Sequence, residues 1–462
     1  MKKYNLFKVI LITIGIVALL TWLIPASNYG DTGVVLGEVN MVGIWQLFTY
    51  FVRVMQNMGA PIVFVLIVGG FYGILNITGV YKQLIERIVR KFRKLEKVFL
   101  IGIAILLAII TSVSNLSIAI FAVFPLVISI LLLMGFDRLT VLTTIVGSTL
   151  AGLIGSTFSY YGAGAINAEL FLEVNTEIIS RIFLLIISLF LLVTYILNNK
   201  VTVKLPKNYE EPLYLETKES KKKLWPLVTI LSLTLLIMIL SSLAWEPVFN
   251  VTWFKEIYQK IMTYEIATFP VFRKILGNVP PFGNWGINEF SVLLLMAAIV
   301  LAWIYKVKLD DAIESFVEGS KRVLSIAILV GLVHVVFLIT YYHLFYFTIV
   351  NWMLNLTNTF NIVTMIIVTA IGSVLIVDIS YFVEALRIFT DIITDKNVYP
   401  AMGILLQSIY GLTMLLAPTS IILVMGLRYL NVPYMTWLKH IYKYVLQLLI
   451  VITIISTIII LI

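Results

Sequence analysis

The chain of 462 residues contains no cysteine and only three histidines, His334, His343 and His440. Disulfides, thiolate metal sites and cysteine nucleophiles are thereby excluded. Neither H-E-x-x-H nor G-x-x-x-x-G-K-[ST] occurs, so the chain carries no obvious metalloprotease site and no ATPase of its own. Charge is scarce as well: 12% of residues are charged against 61% hydrophobic, and the mean hydropathy is +1.03. No soluble core needs that much apolar sequence, and the composition is that of an all-α polytopic membrane protein. The formal charge of +9 is then a topology signal rather than a nucleic-acid footprint, because Lys and Arg cluster in short loops between apolar runs. No cofactor and no nucleic-acid partner is expected; the lipid bilayer is.

What is abundant is uncharged apolar sequence, and one run of it, Val98 to Met134, spans 37 residues. As one helix it would be roughly 55 Å long, against a hydrocarbon core of about 30 Å. It is interrupted at Ser112-Val113-Ser114-Asn115-Leu116-Ser117, and the pieces on either side, Val98 to Thr111 and Ile118 to Met134, read as short for a crossing. The remaining solution is a re-entrant hairpin that turns at the Ser/Asn cluster and leaves on the side it entered. Irregular backbone at membrane depth survives only beside protein or a water-filled cavity, which is where transporters hold their substrates.

Charge parity supports that solution. Lys2, Lys3 and Lys8 precede the first run, Val9 to Ile24, which has signal-peptide features but fits the remaining topology as a retained helix. A second helix is expected over about Gln46 to Thr78, with a Gly69-x-x-x-Gly73 packing face. Tyr81 to Lys97 carries seven Lys/Arg among spaced apolar residues and reads as an amphipathic cytoplasmic helix. With the hairpin, the loop holding Glu169, Glu173 and Glu177 falls outside and the linker Asn198 to Leu224, with seven Lys, falls inside; a single crossing would reverse both. Phe360 to Asp395 forms a second interrupted segment, broken at Val377-Asp378-Ile379-Ser380 and entered from outside. The count is about nine spans plus two hairpins, with the N-terminus cytoplasmic, the C-terminus outside and the protein multi-pass in the cell membrane.

The two hairpins are related. A shift of 260 residues places Ser112 on Gly372 and Ser148 on Ser408, and a shift of 262 places Ser156 and Thr157 on Pro418 and Thr419. Because the hairpins enter from opposite sides, the repeats are inverted, an architecture that puts binding sites at the midplane. Candidate substrate or ion ligands follow. At the first tip they are Ser112, Ser114, Asn115 and Ser117; the polar span after it adds Gly147, Ser148, Thr149, Ser156 and Thr157. At the second tip they are Asp378, Ser380 and Glu384, followed by Gln407, Ser408, Tyr410, Gly411, Pro418, Thr419 and Ser420. Pro418 removes a backbone donor, as an unwound helix requires. Opposed helix ends suit a carboxylate at the N-termini and a cation at the C-termini; simple capping is the competing explanation for Ser and Asn.

Asp378 is an intramembrane carboxylate and a functional candidate by default, for a proton, Na+ or a cationic substrate. Glu384, Arg387 and Asp391 share a helix face and can pair with one another. The two deep carboxylates have no deep Arg or Lys opposite them in the first half, which tilts the expectation toward a basic amino acid.

Trp22-Leu23-Ile24-Pro25-Ala26, Gln407 to Ser420 and Val432-Pro433-Tyr434-Met435-Thr436-Trp437-Leu438-Lys439 resemble segments of the YfcC-like carriers. That family groups anaerobic C4-dicarboxylate carriers with basic amino acid antiporters. The resemblance implies a scaffold, a mobile domain with two hairpins, elevator-type movement and often a homodimer. The expected organisation is 1–97 scaffold and amphipathic helix, 98–198 first hairpin and transport helices, 199–225 linker, 226–358 second scaffold half, and 359–462 second hairpin and transport helices. The leading expectation is a secondary active transporter of basic amino acids, with Na+ or H+ as possible coupling ion. A dicarboxylate or short-peptide carrier is the alternative, a channel comes lower, and an enzyme comes last.

Overall fold

The computed structural model describes residues 5–30, 33–114, 116–198, 211–214, 222–266, 268–357, 359–377, 379–384 and 386–461. Helix α1 (Asn5–Leu23) leads into a short antiparallel pair, β1 (Ser27–Gly30) and β2 (Gly33–Leu36). The single helix expected over Gln46 to Thr78 is two: α2 (Ile44–Asn57) and α3 (Ala60–Ile77). The break falls at Met58-Gly59 because Pro61, which has no N–H, is tolerated only in a first helical turn. Trp45 and Phe48 of α2 are exposed at 83% and 72%, an apolar face that suits the membrane interface. Gly79, at φ 69°, turns the chain into the amphipathic α4 (Val80–Phe92), whose last turn carries Arg90 and Lys91.

The interrupted run resolves into α5 (Glu96–Ser114), a 3₁₀ turn over Ala119–Val123, and α6 (Phe124–Leu133). At 19 residues α5 is long enough to cross a membrane by length and composition, so it is not the short arm expected from Val98 to Thr111. Its extra turns come from Glu96 and Lys97 before the apolar run and from the serine-containing turn after it. Next, α7 (Arg138–Leu142) passes through a π turn into α8 (Ser148–Ile154), followed by α9 (Ala165–Glu169) and α10 (Ile178–Asn198).

The second half opens with α11 (Trp225–Ser242). A segment of short elements follows: α12 (Trp245–Phe249), α13 (Trp253–Met262), the pair β3 (Glu265–Ile266) and β4 (Phe269–Pro270), and α14 (Val271–Leu276). Then come α15 (Ile287–Ile304), the long α16 (Leu309–His343), α17 (Phe345–Asn355) and α18 (Ile362–Leu375). The chain finishes with α19 (Ile379–Glu384), α20 (Arg387–Ile392), α21 (Tyr399–Met414), α22 (Ile421–Tyr429) and α23 (Tyr434–Leu461). Among the described residues eight helices are long and apolar enough to cross a membrane. Seven coincide with expected spans, α5 is the eighth, and the other two expected spans are the broken helices α7–α8–α9 and α21–α22.

Packing divides these helices into two groups. In one, α3 lies along α16 and α15, with α1 and α2 on α16 and α11 on α15. In the other, α5 packs on α8 and α10 while α18 packs on α21 and α23; the halves meet through α8 on α21 and α10 on α23. The α3–α16 crossing is the closest approach, because the Gly69-x-x-x-Gly73 face meets Gly319. A Cβ on Gly319 would stand 2.2 Å from the Gly69 carbonyl oxygen, and one on Gly73 would stand 2.1 Å from that of Ser315. Gly319→Val should therefore destabilise by about 1–3 kcal/mol through forced separation of the helices. Gly15→Ala, where nothing lies within 4 Å of the added carbon, should not. Thermal unfolding of the detergent-solubilised protein checks the contrast.

Candidate functional site

Two breaks in helix define the site. Helix α8 stops at Ile154 and helical turns resume at Tyr160, while α21 stops at Met414 and α22 begins at Ile421. Each break strands carbonyls that a helix would have bonded, and side chains from the opposite half or the adjacent tip take them up. Gln407 Nε2 donates to the Leu153 carbonyl at 2.8 Å and Ser408 Oγ to that of Ile154 at 3.1 Å. Ser112 Oγ donates to the Gly155 carbonyl at 2.7 Å, and the Thr157 amide returns to the Ser112 carbonyl at 2.9 Å.

In the second half Thr419 Oγ1 donates to the Val374 carbonyl at 2.8 Å and the Tyr410 hydroxyl to that of Val377 at 3.1 Å. Trp437 Nε1 and the Tyr434 hydroxyl hold the carbonyls of Leu415 and Leu416. The Thr157–Ser112 and Thr419–Val374 contacts each link residues 45 apart, so the same stitch recurs in the two halves. This is geometric support for the repeat at a shift of 262 read from the sequence.

Between the breaks lies a cavity of about 420 Å³, bordered by Ser114 and Ser117 at the first tip and by Val377 and Ile379 beside the second. Tyr410, Ser420 and Tyr161 add hydroxyls, and Ser242, Asn284 and Glu289 close it from the α11–α15 side. Glu289 is the one charged side chain among the described lining residues, and its carboxylate is already engaged, accepting the Gly286 amide at 2.8 Å. The helical segments that begin at Ala119 and Ile421 point their N-terminal ends at this space, and neither has a side-chain cap. The buried Ser420 hydroxyl, at the start of α22, has no partner.

The cavity thus combines uncapped amide ends with carbonyls that are already bonded. Of the two ends, the start of α22 has the first amides of its helix without a side-chain cap beside the unpartnered Ser420 hydroxyl, the feature of the cavity that suits an anion.

The candidates from the sequence divide accordingly. Ser114, Ser117, Tyr410 and Ser420 line the cavity; Ser112, Thr157, Gln407, Ser408 and Thr419 stitch the breaks behind it. Ser156 Oγ and Gln407 Oε1 are buried without partners close to those stitches. Ser148 and Thr149 turn their hydroxyls back onto Thr144 and Ile145 of their own helix, the latter at 2.8 Å. Gly147 and Gly411 serve close packing, on Leu192 and on Ile154.

Pro418 borders a separate apolar groove that α1, α18 and α23 also line. Asn115 and Asp378 lie outside the described residues, as do the side chains of Ser380 and Glu384. Arg387 pairs with Glu169 of the first half at 3.5 Å. Tyr161, Asn284 and Glu289 were missed in the sequence; the one usable signal was Gly286 three residues before Glu289, a helix-start spacing.

Two broken helices stitched around one polar cavity, inside a bundle of membrane-length helices, define a class: a multi-pass membrane transporter. The chain belongs to the DcuC family, described as C4-dicarboxylate anaerobic carriers, whose family profile matches residues 4–462. No curated protein matches the sequence. Among solved structures the chain is similar to the Alcanivorax borkumensis YdaH transporter, at 13% identity over 99% of this chain and 97% of that one, with a TM-score of 0.38.

Removing the Ser112 hydroxyl leaves the buried Gly155 carbonyl unpaired, at a cost of about 1–3 kcal/mol. Ser112→Ala should lower thermal stability and abolish most transport. Ser148→Ala, which breaks only a bond within its own helix, should leave transport within about twofold. Paired unfolding and uptake measurements on the two variants check this.

Proposed function

We propose that this protein is an ion-coupled secondary carrier of small carboxylates, with a C4-dicarboxylate as substrate. The observation that carries the reading is the polarity of the cavity: uncapped helix N-termini and the unpartnered Ser420 hydroxyl face it, while the carbonyls around it are already bonded. The family description points to the same substrate class. Among the described residues no Lys, Arg or His borders the cavity. A dianion taken from water into such a site needs compensating positive charge, which helix ends supply only in part. The balance must arrive with the substrate, as Na+ or H+.

The two packing groups give the movement. In this reading α5, α6, α8, α10, α18, α21, α22 and α23 form the mobile core, re-entrant at its two tips, and α1, α2, α3, α11, α15 and α16 form the scaffold. The cavity meets the scaffold at Ser242 and Asn284–Phe290, beside the segment that charge parity assigns to the outside, which supports an outward-facing state. A basic amino acid is the second reading. It is favoured by Glu289 in the lining and by Asp378, whose neighbours Val377 and Ile379 both line the cavity.

Reconstituted protein should take up labelled succinate saturably, with at least about tenfold stimulation by an inward Na+ or H+ gradient, equivalent to about 1.4 kcal/mol. Excess arginine should not compete. Arginine counterflow that needs no cation gradient and disappears in Asp378→Asn would overturn the carboxylate reading in favour of the second.

A further inference from the structure

The linker between the halves returns to the bundle at Glu211–Tyr214, and these four residues are held from several sides. Glu211 Oε1 lies 2.5 Å from Ser129 Oγ of α6 and accepts the Tyr429 hydroxyl of α22 at 3.3 Å. Arg322 of α16 donates to the Pro212 carbonyl at 3.4 Å, and Asn76 of α3 donates to that of Leu213 at 2.9 Å. Leu213 is 1% exposed, and the Tyr214 ring stands edge-on to Tyr81 of α4 at 6.5 Å. The segment therefore bridges α3 and α16 on one side and α6 and α22 on the other.

Proton counting decides the state of the carboxyl. Ser129 has one hydroxyl proton, and the Pro125 carbonyl stands 2.6 Å away to accept it. With that proton committed, the short contact to Glu211 is satisfied when the carboxyl carries a proton and donates it to Ser129. Among the described residues, the groups hydrogen-bonded to Glu211 are the neutral hydroxyls of Ser129 and Tyr429. Tyr72 of α3 gives its hydroxyl proton to the Ala122 carbonyl, and the phenols of Tyr81, Tyr214 and Tyr429 are neutral. Arg322 is turned to Pro212 and Glu318, and Arg138 of α7 to the carbonyls of Leu430 and Asn431.

We propose that Glu211 is a proton-binding site that latches the 211–214 segment across the seam between scaffold and core, and that its deprotonation frees that segment. The seam is that of the scaffold and core assigned above, so this part of the proposal rests on that reading. Burial pushes the Glu211 carboxyl up to about 8, against the hydrogen bond from Tyr429 that pulls it down. A raised carboxyl favours the docked state at low pH. Docking weakens as pH climbs from the ordinary value of 4.5 and is fully weakened once pH passes about 8.

Hydrogen exchange of the 211–214 backbone in the full-length protein, compared between wild type and Glu211→Gln at each pH, is the test. Glutamine mimics the protonated acid and should stay docked throughout, so the two proteins should exchange alike at about pH 4 and differ by at least about tenfold at pH 9. Ser129→Ala should exchange fast at every pH. Equal exchange of wild type and Glu211→Gln at pH 9 would overturn the proton site. In succinate counterflow, Glu211→Gln should flatten the dependence on the pH at the linker face; an unchanged profile would overturn the link to transport. The seam is tested separately, since the chain has no native cysteine: a bis-maleimide joining cysteines placed at Ser325 and Arg428, whose side chains touch at 2.9 Å, should arrest transport. Undiminished flux after crosslinking would remove the scaffold and core assignment while leaving the exchange result to judge the proton site.

Discussion

Backbone hydrogen bonding in a medium without water is the constraint on which the rest depends. A helix can be opened inside a bilayer only if each stranded carbonyl finds a donor. Here the donors are exchanged between the halves: Gln407 and Ser408 of α21 serve the end of α8, and Ser112 of the first tip serves Gly155. In the second half Thr419 plays for Val374 the part that Thr157 plays for Ser112. The first break therefore depends on donors from the second half, while the carbonyls of the second break are held by Tyr434 and Trp437 of its own half.

Much of this was legible in the sequence. A span of small and polar residues from Gly147 to Thr157 and a proline within the last polar span marked the neighbourhood of both breaks. Ser112, Thr157, Gln407, Ser408 and Thr419 were read as ligands, and in the structure their side chains bond backbone carbonyls. A sequence shows that a hydroxyl lies at membrane depth without showing which carbonyl lies opposite it. Ser148 and Thr149 illustrate the same limit, since a hydroxyl one turn from its own helix carbonyl looks identical to a ligand. Tyr161, Asn284 and Glu289 escaped because they reach the cavity from segments distant in sequence. The division of Gln46 to Thr78 was signalled by Pro61, and hydropathy alone hid it.

The two packing groups differ in how they are held. The α3–α16 crossing brings backbone against backbone at Gly69, Gly73 and Gly319, with the Val323 side chain and the Phe316 ring wedged beside them against Gly69 and Gly70. A contact of that kind is rigid, which suits a scaffold. Within the other group the broken helices are tied by directional bonds from Ser, Thr and Gln, so a tip cannot shift without taking its partner along. Rigidity inside each group leaves the seam between them as the place where relative motion costs least. The Glu211–Tyr214 segment lies across that seam.

The same accounting leads from structure to energetics of transport. Because side chains already satisfy the carbonyls around the cavity, a bare cation finds few unoccupied acceptors there; an anion finds free amide ends. A dianion in that place, with no basic side chain among the described lining residues, would be trapped by neither strong attraction nor a permanent counter-charge. Its affinity would then be set by whatever cation accompanies it. That is the property a coupled carrier needs, since a fixed lysine or arginine would bind the substrate equally well on both sides of the membrane. Charge compensation supplied by a mobile ion makes occupancy follow the ion gradient. Under the proposed function, the scarcity of charge that identified the chain as a membrane protein would, in the cavity, also be the basis of coupling.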